Sequence, residues 1–233
     1  MLKVSIILPT YNEEGNIAGI IRSISETKNR DYEIIVVDDG STDETAKIAK
    51  VEGANVISHP YNIGNGAAIK TGIRNAKGDI VVLMDGDGQH NPADIPRLLE
   101  HIDKYDMVVG ARTGDSHSSF SRRLANQIYN IFASYVTSFK IDDLTSGFRA
   151  IKKEVALKFL YLLPNTFSYP TTITLAFLKA GKSIKYVPIK TLERKGKSKI
   201  QPVNDGIRFL LIITKIATIF SPFRIPSAAL ARP

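Results

Sequence analysis

Ile80-Val81-Val82-Leu83-Met84-Asp85-Gly86-Asp87-Gly88-Gln89-His90 runs five apolar residues straight into two aspartates, each followed by glycine. A continuous apolar run, rather than an alternating one, is the pattern of a strand buried on both faces of a sheet. Two carboxylates at the end of such a strand cannot both be buried unpaired, because taking charge out of water is too costly. They belong at the strand's open end, where they can meet a cation. Hard divalent metals take oxygen from one or two carboxylates together with substrate phosphates. The stretch therefore predicts a metal–nucleotide site.

Upstream, Lys3-Val4-Ser5-Ile6-Ile7-Leu8-Pro9-Thr10 predicts a first strand, mostly β-branched and ended by Pro9. Thr10 to Asn16 is a polar turn, with Asn12 or Thr10 available to cap a helix. Ile17, Ile20, Ile21 and Ile24 then fall at helical spacing. Glu33 to Gly40 predicts a second strand, again ending in acids and glycine. Ser41-Thr42-Asp43-Glu44 opens a helix with capping side chains and early negative charge. Ala54 to Ile57 is a third strand. The loop Asn62-Ile63-Gly64-Asn65-Gly66 leads into a helix over Ala67 to Ala76, and Asp106 to Gly110 is a further strand ending at Ala111-Arg112.

This alternation predicts a parallel sheet with right-handed crossovers and functional loops beyond the strands' carboxyl ends. Pro9 to Glu13, Asp38-Asp39, Asp85 to Gln89 and Arg112 should then share one edge. Further along, Thr113 to Ser121 is a polar loop, Arg122 to about Thr137 a helix, and Asp142 to Arg149 a loop. Lys153 to Leu162 and Thr171 to Ala180 read as helices, Ile184 to Pro188 as a strand, and Arg194 to Lys199 as a basic, flexible loop. The helix Asn204 to Phe220 has a broad apolar face interrupted by Arg208 and Lys215. It is too short and too charged to span a bilayer, which needs about 20 apolar residues. Lying in the membrane interface and packing on the core both suit it.

The 233 residues suit one α/β domain with a small appendage, and 43% hydrophobic with 23% charged residues excludes disorder. Absence of cysteine excludes a disulfide framework and a zinc–thiolate site and agrees with the cytoplasm. Met1 to Leu8 lacks the basic start of a signal peptide. The net charge of +8 gathers from Phe148 onward, a bias toward phosphates or an anionic membrane surface. No basic stripe with interleaved aromatics marks a nucleic-acid binder.

Four stretches resemble the motifs of glycosyltransferase family 2, with the GT-A fold. They are Ile6 to Glu13, Val36 to Asp43, Met84 to His90 and Ser146-Gly147-Phe148-Arg149, in order over residues 1 to about 200. Gln89-His90, Arg122, Asn126 and Gly196-Lys197-Ser198-Lys199 resemble the branch of dolichol-phosphate mannose synthase and the polyprenyl-phosphate glycosyltransferases. The resemblance implies an α/β fold, a mostly parallel Rossmann-like sheet flanked by helices. It implies a catalytic domain over 1–200, an amphipathic membrane-interface helix over 201–224 and a disordered tail over 225–233.

By the same resemblance Pro9, Tyr11, Glu13 and Asp39, with Asp38 beside them, hold the nucleotide, joined by Asn62 and Gly64. Asp85, Asp87 and Gln89 ligate Mg2+ or Mn2+ across the donor phosphates. Arg112, Arg122 and Asn126 hold the acceptor phosphate, and Ser146, Gly147 and Phe148 shape the sugar pocket. Arg194, Lys197 and Lys199 close over the phosphates. Asp87, Arg112, Ser146 and Asp143 make up the implied catalytic set, with Asp142 or Asp143 orienting acceptor or sugar.

The implied reaction is inverting transfer of a hexose from a GDP-mannose or UDP-glucose type donor to a polyprenyl or dolichyl phosphate. It would take place at the inner face of the cell membrane, the protein being cytoplasmic and peripheral. A transferase for a polysaccharide or soluble sugar, and a non-catalytic nucleotide-sugar-binding module, are the alternatives. Members of the branch often continue into transmembrane helices, whereas this sequence ends soon after Ser221 to Arg224. Some residues admit two readings. His90 fits an exposed loop residue or a partner of the acidic pair. Asn62 to Gly66 fits a phosphate cradle, a base-binding loop or an ordinary turn, and Arg122-Arg123 fits a solvated helix face.

Overall fold

The computed structural model describes residues 2–27, 32–113, 120–166, 168–192, 211–216 and 218, with residues 120–126 by their backbone alone. Seven strands form one sheet: β1 (Val4–Thr10), β2 (Glu33–Asp38), β3 (Asn55–Ser58), β4 (Ile80–Leu83), β5 (Met107–Arg112), β6 (Arg149–Lys152) and β7 (Ile184–Ile189). Their order is β3-β2-β1-β4-β6-β5-β7. The helices are α1 (Ile17–Ser25), α2 (Thr45–Val51), α3 (Asn65–Asn75), α4 (Ile95–Leu99), α5 (Phe120–Thr137), α6 (Lys153–Leu157) and α7 (Tyr169–Lys179).

β1 is buried along its whole length because it is sandwiched on both faces. Ile6 and Leu8 point into one apolar layer with Ile17, Ile20, Ile21 and Ile24 of α1 and Ile95 and Leu98 of α4. Ile7 points into the opposite layer with Ile69 and Ile73 of α3 and Ile173 and Phe177 of α7. A third cluster joins Ala133 of α5, Ile141, Leu144 and Leu175 to Ile213 and Ile216. The terminal helix, described over 211–216, thus turns those two isoleucines inward; its other predicted apolar positions, Ile207, Leu210, Ala217 and Phe220 among them, lie outside the described residues. Among the described residues no helix is long and apolar enough to cross a membrane.

The expected alternation is present, with one correction. Arg149 does not lie in a loop; it opens β6, which runs antiparallel between β4 and β5. Arg149 pairs with Leu83 on one side and Val109 on the other. That register brings three things to one edge: the residues after Leu83, the residues after Val109, and the residues before Arg149. The loops after Thr10 and Asp38 lie on the same edge, since those residues are paired across β1 and β2. Helical structure after Lys153 is also shorter than expected. It stops at Leu157 and resumes as a single tight turn over Leu160–Leu162.

Gly66 shows how tightly α3 is seated. A methyl group there would overlap the carbonyl of Pro164, a backbone atom that cannot swing aside. Gly66→Ala should therefore destabilise the protein by about 1–3 kcal/mol through overpacking, even though alanine favours the helix by up to about 1 kcal/mol. Thermal unfolding of the variant checks this: the midpoint should fall by several degrees, whereas a rise would mean that helix propensity dominates.

Candidate active site

Asp85 stands just beyond β4, its side chain still a third exposed (33%) while the strand behind it is fully buried. Gly86 lets the chain turn there, since a side chain at that position would strike Thr10. Gly147 lies directly against the Asp85 carboxylate, with no room for a methyl group between them. On its other side Asp85 meets His90, whose Nε2 is 3.5 Å from Oδ2. His90 is not an exposed loop residue. It is 7% exposed and stacks on Phe148, ring centroids 5.1 Å apart. Burial pushes the Asp85 pKa up. The His90 hydrogen bond and charge, with help from Asn65 and the Arg112 charge, outweigh burial and hold the carboxyl below its ordinary range.

Asp87 and Gln89 follow, both partly exposed, with Gly88 in the left-handed region at φ 74°. The Gln89 amide N–H donates to the Asp87 carboxylate (3.1 Å). The Gln89 carbonyl accepts from the Leu192 N–H (2.9 Å), which sets the segment after β7 beside the acidic stretch. Arg194, Lys197 and Lys199 lie outside the described residues, as do the side chains of Arg122 and Asn126 in the first turns of α5.

The Ser146-Gly147-Phe148 loop is clamped from behind. Arg149 donates to the Ser146 carbonyl, the Tyr169 hydroxyl to the Gly147 carbonyl (3.2 Å), and the Gly110 N–H to the Phe148 carbonyl (2.9 Å). Arg149 is fully buried, and its guanidinium also donates to the Pro170 carbonyl (3.2 Å) and Thr174 hydroxyl (3.1 Å). Burial pulls its pKa down, opposed by the fields of Tyr169, Tyr186, Asp143 and Asp85. Ser146 and Phe148, expected to shape the sugar pocket, are both buried. Ser146 Oγ donates to the Gly110 carbonyl (2.6 Å), and Phe148 sits under His90. Their part in this structure is to hold Gly147 against Asp85.

Asp143 also has a different task from the expected one. Its Oδ2 accepts from the Arg112 N–H (3.1 Å) and Nε (2.8 Å), and its Oδ1 from Arg112 Nη2 (2.8 Å) and the Thr145 and Ser146 N–H groups (3.1 Å each). A carboxylate offers about four lone-pair sites, so Asp143 has none left to orient a substrate. Arg112 is gripped edge-on by this pair and by the Thr145 hydroxyl, yet its side chain remains 31% exposed. Its Nη1 donates to no other described residue, which leaves the outward edge of the guanidinium for an anion.

The loops after β1 and β2 are laced together. Asn12, at φ 55°, receives the Thr42 N–H and donates its own N–H to Ser41; the Glu13 N–H donates to Thr45 Oγ1 (2.8 Å). Pro9 is buried, Tyr11 and Glu13 partly so, and the Glu13 carboxylate accepts from the Asn16 amide (2.8 Å). Asp38 caps its own turn through the Ser41 N–H (3.1 Å). Asp39, expected on the base and ribose, is 4% exposed. It accepts from the N–H groups of Ile63 (3.0 Å) and Gly64 (2.8 Å) and from His59 Nδ1 at 2.7 Å. The Gly66 and Ala67 N–H groups donate to the Thr166 and Asn165 carbonyls. Within Asn62 to Gly66 the N–H groups of Ile63, Gly64 and Gly66 thus already have acceptors inside the protein, which turns most of this loop's backbone inward rather than toward a phosphate. His59 and Tyr169 went unnoticed in the sequence, and Asn65 and Arg149 were read only as members of their loops. Only their positions in space distinguish them from ordinary polar residues.

An open sheet with one antiparallel strand beside the acidic one, and carboxylates and a fixed arginine on its carboxyl edge, is the GT-A arrangement. The family model described as glycosyl transferase family 2 matches residues 5–160, and the chain belongs to that family. An uncharacterised protein of Methanocaldococcus jannaschii is 32% identical over 200 residues, covering 82% of each chain. The undecaprenyl-phosphate 4-deoxy-4-formamido-L-arabinose transferase of Pseudomonas fluorescens is 32% identical over 211 residues, covering 81% of this chain and 62% of that enzyme. The chain thus spans less than two thirds of that transferase. Among solved structures, glucosyl-3-phosphoglycerate synthase of Mycobacterium tuberculosis with phosphoglyceric acid superposes with a TM-score of 0.73 at 21% identity. The match covers 93% of this chain and 80% of that one, and shows a shared fold.

Burial pushes the Asp143 pKa up, but the Arg112 hydrogen bonds and charge and the N–H donors around it bring it net below its ordinary value. A depressed carboxylate stabilises the fold above its unfolded-state pKa, and that contribution is lost as pH falls through the folded-state pKa. Asp143→Asn should therefore cost about 2–4 kcal/mol at neutral pH, less than a fully buried pair because Arg112 is part-exposed. The gap from wild type should narrow as pH drops below the carboxylate range. Urea unfolding at pH 7 and pH 3 measures both; a gap that widens in acid would contradict the assignment.

Proposed function

We propose that this chain is an inverting glycosyltransferase that moves a hexose from a nucleotide-sugar to a polyprenyl phosphate at a membrane surface. One observation carries the reading: Arg112, locked by Asp143, keeps its side chain partly exposed, and its charge acts on Asp85 at the same sheet edge. This arrangement supports a cation for an acceptor phosphate and an anion for a metal-bound donor on one edge of the sheet. The curated relatives named undecaprenyl-phosphate transferases support a lipid-phosphate acceptor.

Asp85, Asp87 and Gln89 fit a hard divalent cation such as Mg2+ or Mn2+. Their donor atoms are all oxygens and are partly exposed at a strand end. Among the described residues no three acidic or histidine side chains form a complete cage, so substrate phosphates would complete the shell. The synthase of similar fold solved with Mn2+ and UDP-glucose supports the same donor chemistry. Such an ion, when bound, neutralises charge on the leaving diphosphate.

An oxygen of the acceptor phosphate attacks the anomeric carbon. The bond from that carbon to the donor's β-phosphate oxygen breaks, the nucleoside diphosphate leaves with the electron pair, and configuration inverts. The acceptor is already anionic at neutral pH, so positioning matters more than a strong general base. Arg112 orients it. The basic segment from Arg194 to Lys199, which follows Leu192 beside Gln89, supplies cations for the departing diphosphate.

Transfer from GDP-mannose and UDP-glucose to a water-soluble short-chain prenyl phosphate should be detected by product mass and abolished by EDTA. Activity restored by Mg2+ or Mn2+ is the expected result. Transfer to 3-phosphoglycerate or a free sugar, with none to the prenyl phosphate, would overturn the acceptor assignment. Gly147→Ala, which drives a methyl group into the Asp85 carboxylate, should lower kcat/KM by about 100-fold or more, since small misplacements at the reacting centre carry that penalty. Its far-UV circular dichroism should stay that of the wild type.

A further inference from the structure

α5 is apolar on two opposite faces. Tyr129, Phe132, Ala133 and Val136 pack inward against the cluster of Ile141, Leu144 and Leu175. Ile128, Ile131 and Tyr135, at helical positions i, i+3 and i+7, form a ridge on the other side and are 53%, 70% and 72% exposed. A surface helix ordinarily turns polar residues to water; this one presents two isoleucines and a tyrosine.

Its charge is equally one-sided. The 18 residues of α5 contain no aspartate or glutamate, Arg122 and Arg123 lie in its first turn, and the Lys140 that follows its end is ion-paired with Asp142 (3.3 Å). An apolar ridge on a helix that opens with two arginines and has no carboxylate of its own partitions into the interface of an anionic bilayer. A tyrosine on such a ridge suits headgroup depth, with its ring in the apolar layer and its hydroxyl in water.

The helix is also wired to the site. It follows β5, which ends in Arg112, and it precedes the loop that carries Asp143. Asn130, in mid-helix, brackets that loop: its Nδ2 donates to the Asp142 carbonyl (2.8 Å), and its Oδ1 accepts the Leu144 N–H (3.0 Å). The described part of the terminal helix instead sends Ile213 and Ile216 into the core.

We propose that the Ile128–Ile131–Tyr135 face of α5 is the surface that docks on an anionic lipid bilayer, setting the Arg112 edge toward a lipid-borne acceptor. This rests on the polyprenyl-phosphate reading above for its purpose, but the docking is testable without it.

The full-length chain, wild type and the Ile131→Ser/Tyr135→Ser double variant, would be floated with vesicles of phosphatidylglycerol and phosphatidylcholine, and with phosphatidylcholine alone. Wild type should float with the anionic vesicles, less so in high salt, and the double variant should lose about tenfold or more of that binding. Both should turn over a water-soluble short-chain prenyl phosphate at equal rates, while the variant should lose rate on a long-chain acceptor embedded in vesicles. Failure of wild type to float, or equal flotation of the two proteins, would overturn the proposal. So would a wild-type dimer, seen by sedimentation, that the double variant dissolves, because the face would then bind a second copy. Loss of soluble-acceptor turnover in wild type itself would instead count against the enzymatic reading.

Discussion

The carboxylate of Asp85 rests against a residue that has no side chain, and much of the rest of the structure keeps that contact in place. An ionisable group at the end of a strand buried on both faces is stable only where cations and hydrogen bonds reach it. Here His90 contacts it and Arg112 supplies a longer-range positive field, while Gly147 walls off the remaining side. The wall needs a strand behind it, and β6 is that strand. Arg149, Tyr169 and Gly110 each hold one carbonyl of the Ser146–Phe148 loop, so the loop cannot move away from the acid without breaking three buried hydrogen bonds.

Two other aspartates repeat a theme. Asp39 sits at a strand end and Asp143 in the loop before β6, where a substrate-binding role is natural, yet both turn into the protein and collect N–H groups. Asp39 fastens the 61–64 loop and is itself fastened by His59, which hydrogen-bonds Thr71 through its other nitrogen (2.9 Å). Asp143 fastens its own turn and aims Arg112. Such acids work by positioning neighbours: the groups that face outward are backbone, arginine and the Asp85–Gln89 stretch.

Much of this was legible beforehand. The buried strands announce themselves as unbroken β-branched runs, and the edge shared by Thr10, Asp38, Asp85 and Arg112 follows from the alternation of strands and helices. β6 was not legible, because four residues that open with arginine and close with lysine carry no strand pattern. The buried Arg149 is tolerable only because carbonyl and hydroxyl acceptors converge on it. The orientation of Asp39, Asp143 and Ser146 was not legible either. A short polar side chain at a strand end has the same sequence signature whether it points at a ligand or at its own backbone. His90 lay between two readings that only burial could separate, and Asn65 was read only as a member of its loop.

The antiparallel β6 has a consequence for how such a protein can change over time. On one side of it β3, β2, β1 and β4 come from a single early stretch of chain; on the other, β5 and β7 come from a later one. β6 is the seam. It is stitched to both neighbours by backbone hydrogen bonds, which make little demand on side-chain identity. The seam also carries the loop that walls Asp85, so only divergence confined to the outward face of α5 would leave the early half and its acidic edge undisturbed. The fold is in that sense free to vary at its outer surface while the strands on both sides of the seam stay bound to one acidic edge.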